Sequence, residues 1–391
     1  MKPHRKAFRR RPAWRDYGGQ DGGRVSLRST RSSVLVIVLV TLLFTSVVLV
    51  AFIEQASSDL LVEARVATAK RLRLEAYSAL EVTLATLQDF IKAGNGLHHP
   101  AEGWDDPLGF AGWTPREGCT AEVTLEDESG KIPLARVDRA TLLNLFKAWQ
   151  LSQVDAERLA DALLVWMRPD YVPASGTLPD YDQGAIPYDS PGRSLRSYSE
   201  LAAIDVARDV FYDQSGRPND LWRRFAATFS LFNYAQANLN AATPDMLAAL
   251  GFSDPTQQLR MDDYLSGTGT YAGQGPRWFK SPGDAASVLG SGALPATVGV
   301  QISALRINIT LREGRSEFRL SAVVAPGGGA TTVPAKATSA TPAASASTAP
   351  PSATPPPAPA SPAAKLNYPF TLLEIEENTE MPPAPPAPPA A

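Results

Sequence analysis

Residues that commonly carry chemistry are scarce in this chain. Its histidines are His4, His98 and His99, and its single cysteine is Cys119. His98 and His99 adjoin the stretch "GNGL", so the sequence predicts an exposed loop pair rather than a metal site. Cys119 precedes a strand-like segment and is expected to be a buried or edge thiol. The sequence contains no G-x-S-x-G, G-x-x-x-x-G-K-[ST] or H-E-x-x-H pattern, so the residues do not predict an enzyme.

One acidic stretch has the composition of a cation site. In "RPDYVPASGTLPDYDQGAIPYDSPGR", Asp170, Asp180, Asp182 and Asp189 alternate with proline and glycine turns that expose backbone carbonyls. Hard oxygen ligands of this kind suit calcium. A solvated acidic loop would have the same composition, and the residues alone leave both interpretations open.

A second stretch, "NLNAATPDMLAALGFSD", resembles the entry to a helix-hairpin-helix. DNA-binding versions use a glycine-apolar-glycine hairpin that points backbone N–H groups at a phosphate. Here Gly251 has no second glycine partner, and Asp254 occupies the position of the second phosphate contact. A formal net charge of -3 also argues against general attraction to nucleic acid. We therefore expect protein contact or a structural role for this segment, without nucleic acid.

The elements that must position these residues begin with an uncharged run at 34–53. Its length of roughly 20 residues matches the thickness of a bilayer's hydrocarbon core. The preceding residues 1–31 carry eight arginines and two lysines against two aspartates. By the positive-inside rule, the N-terminus stays in the cytoplasm and the remainder crosses the membrane. A cleaved signal peptide is the alternative, but the nearest small-residue site, Ala56 and Ser58, lies beyond the charged Glu54.

The apolar run continues into an amphipathic segment that lacks proline and glycine until Gly94. The spacing predicts one continuous helix from Ser33 to Lys92, roughly 90 Å long. The predicted apolar face should pack on the chain's own sheet in its C-terminal part and be free for partner helices in its N-terminal part. This face comprises Leu60, Ala64, Ala67, Leu74, Leu84 and Ile91. Small residues allow helices to approach closely, so the assembly residues are expected to be Ala56, Leu60, Ala64 and Ala67.

Strand signals enclose a region of short helices. "AEVTLEDESGKIPL" predicts a strand that turns at Ser129 and Gly130, and "LRINITLREGRSEFRLSAVV" predicts a hairpin that turns at Glu313 and Gly314. Between them, helix caps are predicted at Ser199, at Thr243 and at Ser281. The fold class is therefore α+β: a long helix on a small antiparallel sheet, with a large all-helical insert.

A proline- and alanine-rich tract follows the hairpin. Its composition cannot form a core, so we expect an extended, disordered insertion. "YPFTLLEIEE" then predicts a strand that returns to the sheet, in which Phe370, Leu372 and Glu374 alternate with Thr371, Leu373 and Ile375; a free docking tail is the alternative. The predicted segments are a leader (1–31), a transmembrane helix (32–53), a pilin-like helix with first strands (54–137), a helical insert (138–298), a hairpin (299–325), a disordered linker (326–364), a returning strand (365–377) and a proline-rich tail (378–391).

The order of these motifs resembles one family, the type II secretion minor pseudopilin K. The basic leader and the split apolar and amphipathic helix resemble pilins and pseudopilins in general. The K family adds "DESGKI", a helix ending in "WMRPD", the tract "YDQGAIPYDSPGRSLRSYSEL" and "NLNAAT", in that order. The resemblance covers residues 32 to 377 and implies a SAM-like insert. It implies a non-catalytic inner-membrane protein at the tip of a pseudopilus, with the C-terminal domain in the periplasm and with other minor pseudopilins and the secretion platform as partners.

The family carries further implications, and the sequence departs from some of them. Its carboxylates in the acidic tract hold calcium, but here Val165, Arg168 and Pro169 replace part of that set and Ile186 replaces a glutamate. We therefore expect no cofactor, with calcium as the alternative. The absence of a glutamate inside the apolar run matches the K family and suits a tip position. No glycine directly precedes the run, which leaves leader cleavage open.

Two other classes of function remain as alternatives. One is a type IV pilus-like or DNA-uptake component whose helix-hairpin-helix-like insert touches DNA. The other is an envelope-bound hydrolase, for which the sequence offers no catalytic set.

Overall fold

A computed structural model describes residues 30–94, 96–176, 181, 188–274, 277–291, 294–333 and 369–379. For residues 30–33 and 205, the structure describes the backbone alone. Several predictions fall outside these ranges: most of the basic leader, the carboxylates of Asp180 and Asp182, the substitution Ile186, the linker from residue 334 and the tail from residue 380.

Helices and strands occur in separate runs along the chain, as expected for an α+β fold. The helices are α1 (Thr30–Gly94), α2 (Pro107–Phe110), α3 (Arg139–Ala148), α4 (Gln153–Met167), α5 (Asp205–Phe211), α6 (Asp220–Thr228), α7 (Pro244–Ala249), α8 (Pro255–Ser266) and α9 (Pro282–Leu289). The strands are β1 (Cys119–Asp127), β2 (Ile132–Pro133), β3 (Phe229–Ser230), β4 (Ala237–Asn238), β5 (Val298–Gly299), β6 (Leu305–Glu313), β7 (Ser316–Pro326) and β8 (Phe370–Glu377).

The main sheet is antiparallel, with strand order β1-β6-β7-β8. β6 and β7 form the predicted hairpin, and Gly314 supplies the left-handed conformation (φ +59°) that its turn requires. β8 pairs with β7 as an edge strand, so the predicted returning strand is present. The predicted strict alternation within it is wrong, because a register shift opposite Val323 and Val324 makes Leu373 an extra, bulged residue.

The chain divides into two compact units, residues 1–66 and 67–391. Within the second unit, α1 buries Leu72, Ala76, Leu80 and Leu87 against the sheet, whose inward-facing side chains alternate with outward-facing ones. Each fully buried leucine contributes about 1.5–3 kcal/mol relative to an exposed one. The opposite side of β7 faces a second core made mainly by helices, to which Val323 and Ala325 belong. β7 is thus buried on both sides.

The predicted insert is not all-helical. Two short parallel pairs, β2 with β3 and β4 with β5, connect the middle of the insert to the segments that flank it. Thr243 and Ser281 cap α7 and α9 as predicted. Ser199 does not act as a cap: Ser197 accepts the capping hydrogen bond, and the segment Tyr198–Ala203 is a 3-10 helix.

The predicted disordered linker begins too early in the sequence. Ala330 and Val333 are buried, and Thr331 forms a β-bridge with Asn233. The three glycines that precede them relax steric limits and let the chain turn back onto the helical core. Packed structure therefore extends to at least Val333.

Candidate functional site

The apolar start of α1 presents its side chains outward. Within residues 34–53, the exposed fractions of the large apolar side chains run from 48% at Val38 to 73% at Leu35. Thr41, Thr45 and Ser46 donate hydrogen bonds to carbonyls one turn earlier, so their hydroxyl groups are satisfied within the helix. Inside a bilayer, polar groups need such partners within the protein because no water is available to them. By length and composition, this is the one helix of the described residues that could cross a membrane.

The predicted assembly residues lie just beyond the apolar run. Leu60 is 67% exposed, Ala64 and Ala67 are exposed, and Ala56 is half-buried. Leu60, Ala64 and Ala67 are spaced by four and three residues, which places them on one side of a helix. Neighbouring apolar side chains at Leu61, Val62 and Val66 are also about half exposed or more.

The prediction for the C-terminal part of this face is partly wrong. Leu74 is 73% exposed, whereas Leu72 and Ala76, which lie two residues before and after it, are buried against the sheet. Leu84 and Ile91 pack partly against the core, as predicted. The reason is the helical angle: Leu74 lies about 200° from Leu72, on the opposite side of α1.

An ion-pair cluster joins α1 to the returning strand. The Glu377 carboxylate accepts hydrogen bonds from Arg73 Nε at 2.8 Å and from the Tyr77 hydroxyl at 2.6 Å. These two donors lower the pKa of Glu377. The sequence analysis missed this cluster, because Arg73 and Glu377 are 304 residues apart and nothing local signals the pairing.

The "DESGKI" motif forms a buried charged network. The Glu128 side chain is 2% exposed and accepts hydrogen bonds from Lys131 Nζ at 2.8 Å and Ser230 Oγ at 3.0 Å; Arg306 Nε lies 3.7 Å away. Burial, the largest single effect, lowers the pKa of Lys131, but the nearby acidic groups, Glu128 above all, together raise it overall. The motif connects the sheet to the helical core.

Asp127 and two asparagines form a second buried cluster. Asp127 accepts hydrogen bonds from Ser129 and, at 2.6 Å, from Asn238 Nδ2. Burial raises the pKa of Asp127 to about 7, against these hydrogen bonds. Asn240 bonds the backbone of Phe279 and Val300. The "NLNAAT" motif therefore has a structural role in the described residues.

The acidic tract is organised by a residue outside the predicted calcium set. Asp161 is almost fully buried and accepts hydrogen bonds from Arg139 Nε (2.9 Å), the Tyr171 hydroxyl (2.7 Å) and the Ser175 N–H (2.8 Å). Burial would raise the pKa of Asp161, but these donors lower it overall. The guanidinium of Arg168 donates to the Val137 carbonyl.

Two of the four predicted calcium ligands lie within the described residues. Asp170 and Asp189 are both exposed. In the part of the chain that the structure describes, no three acidic, histidine or cysteine side chains are grouped as a metal site would require.

Three further predictions concern His98, Cys119 and Asp254. His98 is buried, not exposed, because its Nδ1 lies 2.7 Å from Glu102 Oε1, and Trp104 Nε1 donates to the other carboxylate oxygen. Cys119 begins β1 at the sheet's edge and is half-buried, as predicted. Asp254 caps α8, because its side chain accepts a hydrogen bond from the Thr256 N–H.

The comparisons with known proteins identify a class of protein for one segment. Residues 124–214 match the family model described as "Type II secretion system (T2SS), protein K". This segment contains Glu128, Lys131 and the whole Asp161 network, and the match confirms the resemblance to the minor pseudopilin K family that the motifs predict.

One solved structure is similar over most of its length. It is the crystal structure of the GspK-GspI-GspJ complex from the enterotoxigenic Escherichia coli type 2 secretion system. The match has 14% sequence identity and a TM-score of 0.47, and it covers 66% of this chain and 91% of that chain. No curated protein sequence matches this chain.

Proposed function

We propose that this protein is a non-catalytic minor pseudopilin that initiates assembly of a type II secretion pseudopilus and supports protein export across the outer membrane. The family match over residues 124–214 supports the class of protein. In this proposal, the eight regions defined above keep their bounds, except that packed structure extends to Val333; the insert, which includes β3 and β4, has a SAM-like arrangement. Residues 32–53 anchor the chain in the inner membrane, with the N-terminus in the cytoplasm and the head in the periplasm.

The observation that carries this proposal is the exposed apolar surface of α1 beyond the membrane run. Leu60, Leu61 and Val62 are each more than half exposed, although a soluble helix would place such residues in a core. The alanines beside them leave space for a second helix to approach closely. We assign Ala56, Leu60, Ala64 and Ala67 to contacts with other minor pseudopilins.

The proposed tip position rests on the lack of acidic residues in the apolar run. Major pilins and pseudopilins, which the N-terminal helix resembles, carry a glutamate in this run that pairs with the N-terminal amine of the next subunit. Here residues 34–53 contain no acid, and the first acid is Glu54. An unpaired carboxylate in a membrane is costly, so a subunit without one is suited to the end of a filament.

The test is capture of the partner pseudopilins by the full-length, detergent-solubilised chain. Ala67→Arg adds bulk and charge to the proposed seam, and failed packing of this kind costs about 1–3 kcal/mol. We expect capture to be lost while the thermal transition of the head is unchanged. Ala93→Arg, at an exposed alanine in the last turn of α1, is the matched control and should retain capture.

The opposite pattern would overturn the assignment. If Ala67→Arg abolished the thermal transition but left capture intact, this part of α1 would be an internal packing surface.

A further inference from the structure

The outer edge of β8 combines a row of main-chain hydrogen-bonding groups with exposed apolar side chains. β8 pairs with β7 on one side, and in the described residues no strand pairs with its other side. Such an edge carries a row of main-chain donors and acceptors that another strand can use. Its side chains include two exposed apolar residues, Leu372 (52% exposed) and Ile375 (39% exposed).

The bulge in β8 determines how these residues are presented. Leu372 lies opposite Val324 and Ile375 lies opposite Ala322, although three residues would normally place them on different faces. The extra residue, Leu373, packs partly against the helical core. Leu372 and Ile375 are therefore both on the face of the sheet that carries α1, and they form one apolar strip at its edge.

The other face of β8 is acidic. Glu374 and Glu376 project from it, and burial together with the charge of Glu376 raises the pKa of Glu374, against the opposing effect of Arg306. Only Arg306, at 3.8 Å from Glu374, forms an ion pair with this face among the described residues.

The strand is held firmly at its C-terminal end. Glu377 binds Arg73 and Tyr77, and Asn378 exchanges two hydrogen bonds with the backbone of Arg319. The edge is thus fixed before any partner arrives, which reduces the entropy lost on binding.

We propose that the edge of β8 binds an extended segment of another protein by strand addition, and that this segment alternates apolar and basic residues. The main chain of Glu374–Glu377 supplies the hydrogen bonds, because this is the regular part of the strand beyond the bulge. Apolar side chains of the partner contact Leu372 and Ile375, and basic side chains lie opposite Glu374 and Glu376.

Charge decides between this occupant and a second copy of the chain. Two antiparallel copies of "LEIEE" would place acids opposite or diagonal to acids, which is destabilising. A basic segment is attracted by the same residues. This inference does not depend on the proposed contacts of α1 and would stand if they failed.

The test uses the full-length chain in detergent and two labelled peptides. One alternates valine with lysine, and the other alternates valine with glutamate. Fluorescence anisotropy measures binding, and amide hydrogen exchange of residues 370–377 reports whether the peptide adds as a strand. We expect only the lysine peptide to bind, binding to weaken with salt, and exchange in β8 to slow.

Two variants and one control make the test specific. Leu372→Lys should weaken binding of the lysine peptide at least about tenfold, and Glu376→Lys should shift preference toward the glutamate peptide. Val172→Lys replaces an apolar side chain that is 83% exposed elsewhere and should bind like the parent.

Three outcomes would overturn the proposal. They are equal binding of both peptides, binding that Leu372→Lys leaves unchanged, and binding without slower exchange in β8. Concentration-dependent self-association that Leu372→Lys removes would instead assign the edge to a second copy.

Discussion

Replacing Glu128 with glutamine tests whether the buried charged network holds the sheet to the helical core. The substitution keeps the shape of the side chain but removes the charge that faces Lys131 and Arg306. Breaking a buried ion pair typically costs about 3–5 kcal/mol, because the remaining charge stays buried without a counter-charge.

Two features of the structure make the expected cost of Glu128→Gln smaller than this typical value. Lys131 keeps a second partner, Glu126, at 3.1 Å, and the amide oxygen can still accept from Ser230. We therefore expect a loss of about 2–3 kcal/mol in the free energy of unfolding. For a folded unit of more than 200 residues, this corresponds to a drop of about 4–6 °C in Tm.

The assay is thermal unfolding of the full-length chain in detergent, followed by circular dichroism. Glu317→Gln is the matched control: this carboxylate also has two cationic partners, Arg312 and Arg319, but its side chain is 33% exposed. Exposed pairs contribute less than about 1 kcal/mol. Equal drops in the two variants, or a drop below about 1 °C for Glu128→Gln, would refute the argument that burial gives the network its strength.

Three further predictions concern pH, calcium and processing. The pKa of Asp127 is raised to about 7 from its ordinary 3.8, so between these values the folded state holds a proton that the unfolded chain releases. The free energy of unfolding should therefore fall as pH rises from about 4 to about 7. Asp127→Asn should flatten this slope, as measured by denaturant unfolding at a series of pH values. Asp161→Ala removes the acceptor for Arg139 and Tyr171 and should cost about 2–3 kcal/mol, whereas a calcium chelator should leave the parent's Tm unchanged. A lower Tm with chelator would contradict the expectation that the parent binds no calcium. If the missing glycine prevents cleavage, mass spectrometry of the membrane-extracted chain should show the full basic leader, whereas a mature form starting near Ser33 would contradict this.

Features encoded in neighbouring residues could be predicted from the sequence. The caps at Thr243 and Ser281 and the turn at Gly314 depend on residues within one helical turn or one hairpin. The long helix has the same local origin, since uninterrupted helix formers extend to the glycine at which α1 ends.

Features that depend on distant partners could not be predicted. The acid of "DESGKI" is buried because Ser230 and Arg306, roughly 100 and 180 residues further on, supply its donor and counter-charge. Likewise, Leu74 fits an apolar repeat, but only the position of the sheet decides which side of α1 is buried. The residues around Glu128, "EDESGK", are polar and predict only a turn.

The long separation of β7 and β8 has a consequence for the order of folding. β7 ends at Pro326 and β8 begins at Phe370, so roughly 40 residues must be closed into a loop before the last pairing forms; compared with a four-residue turn, this costs about 2 kcal/mol more. Because β6 and β7 are joined by a tight hairpin, they should pair early, whereas β8 should join late and leave first. During synthesis and membrane insertion, the chain therefore passes through a state in which three strands are in place and the edge of β7 is uncovered.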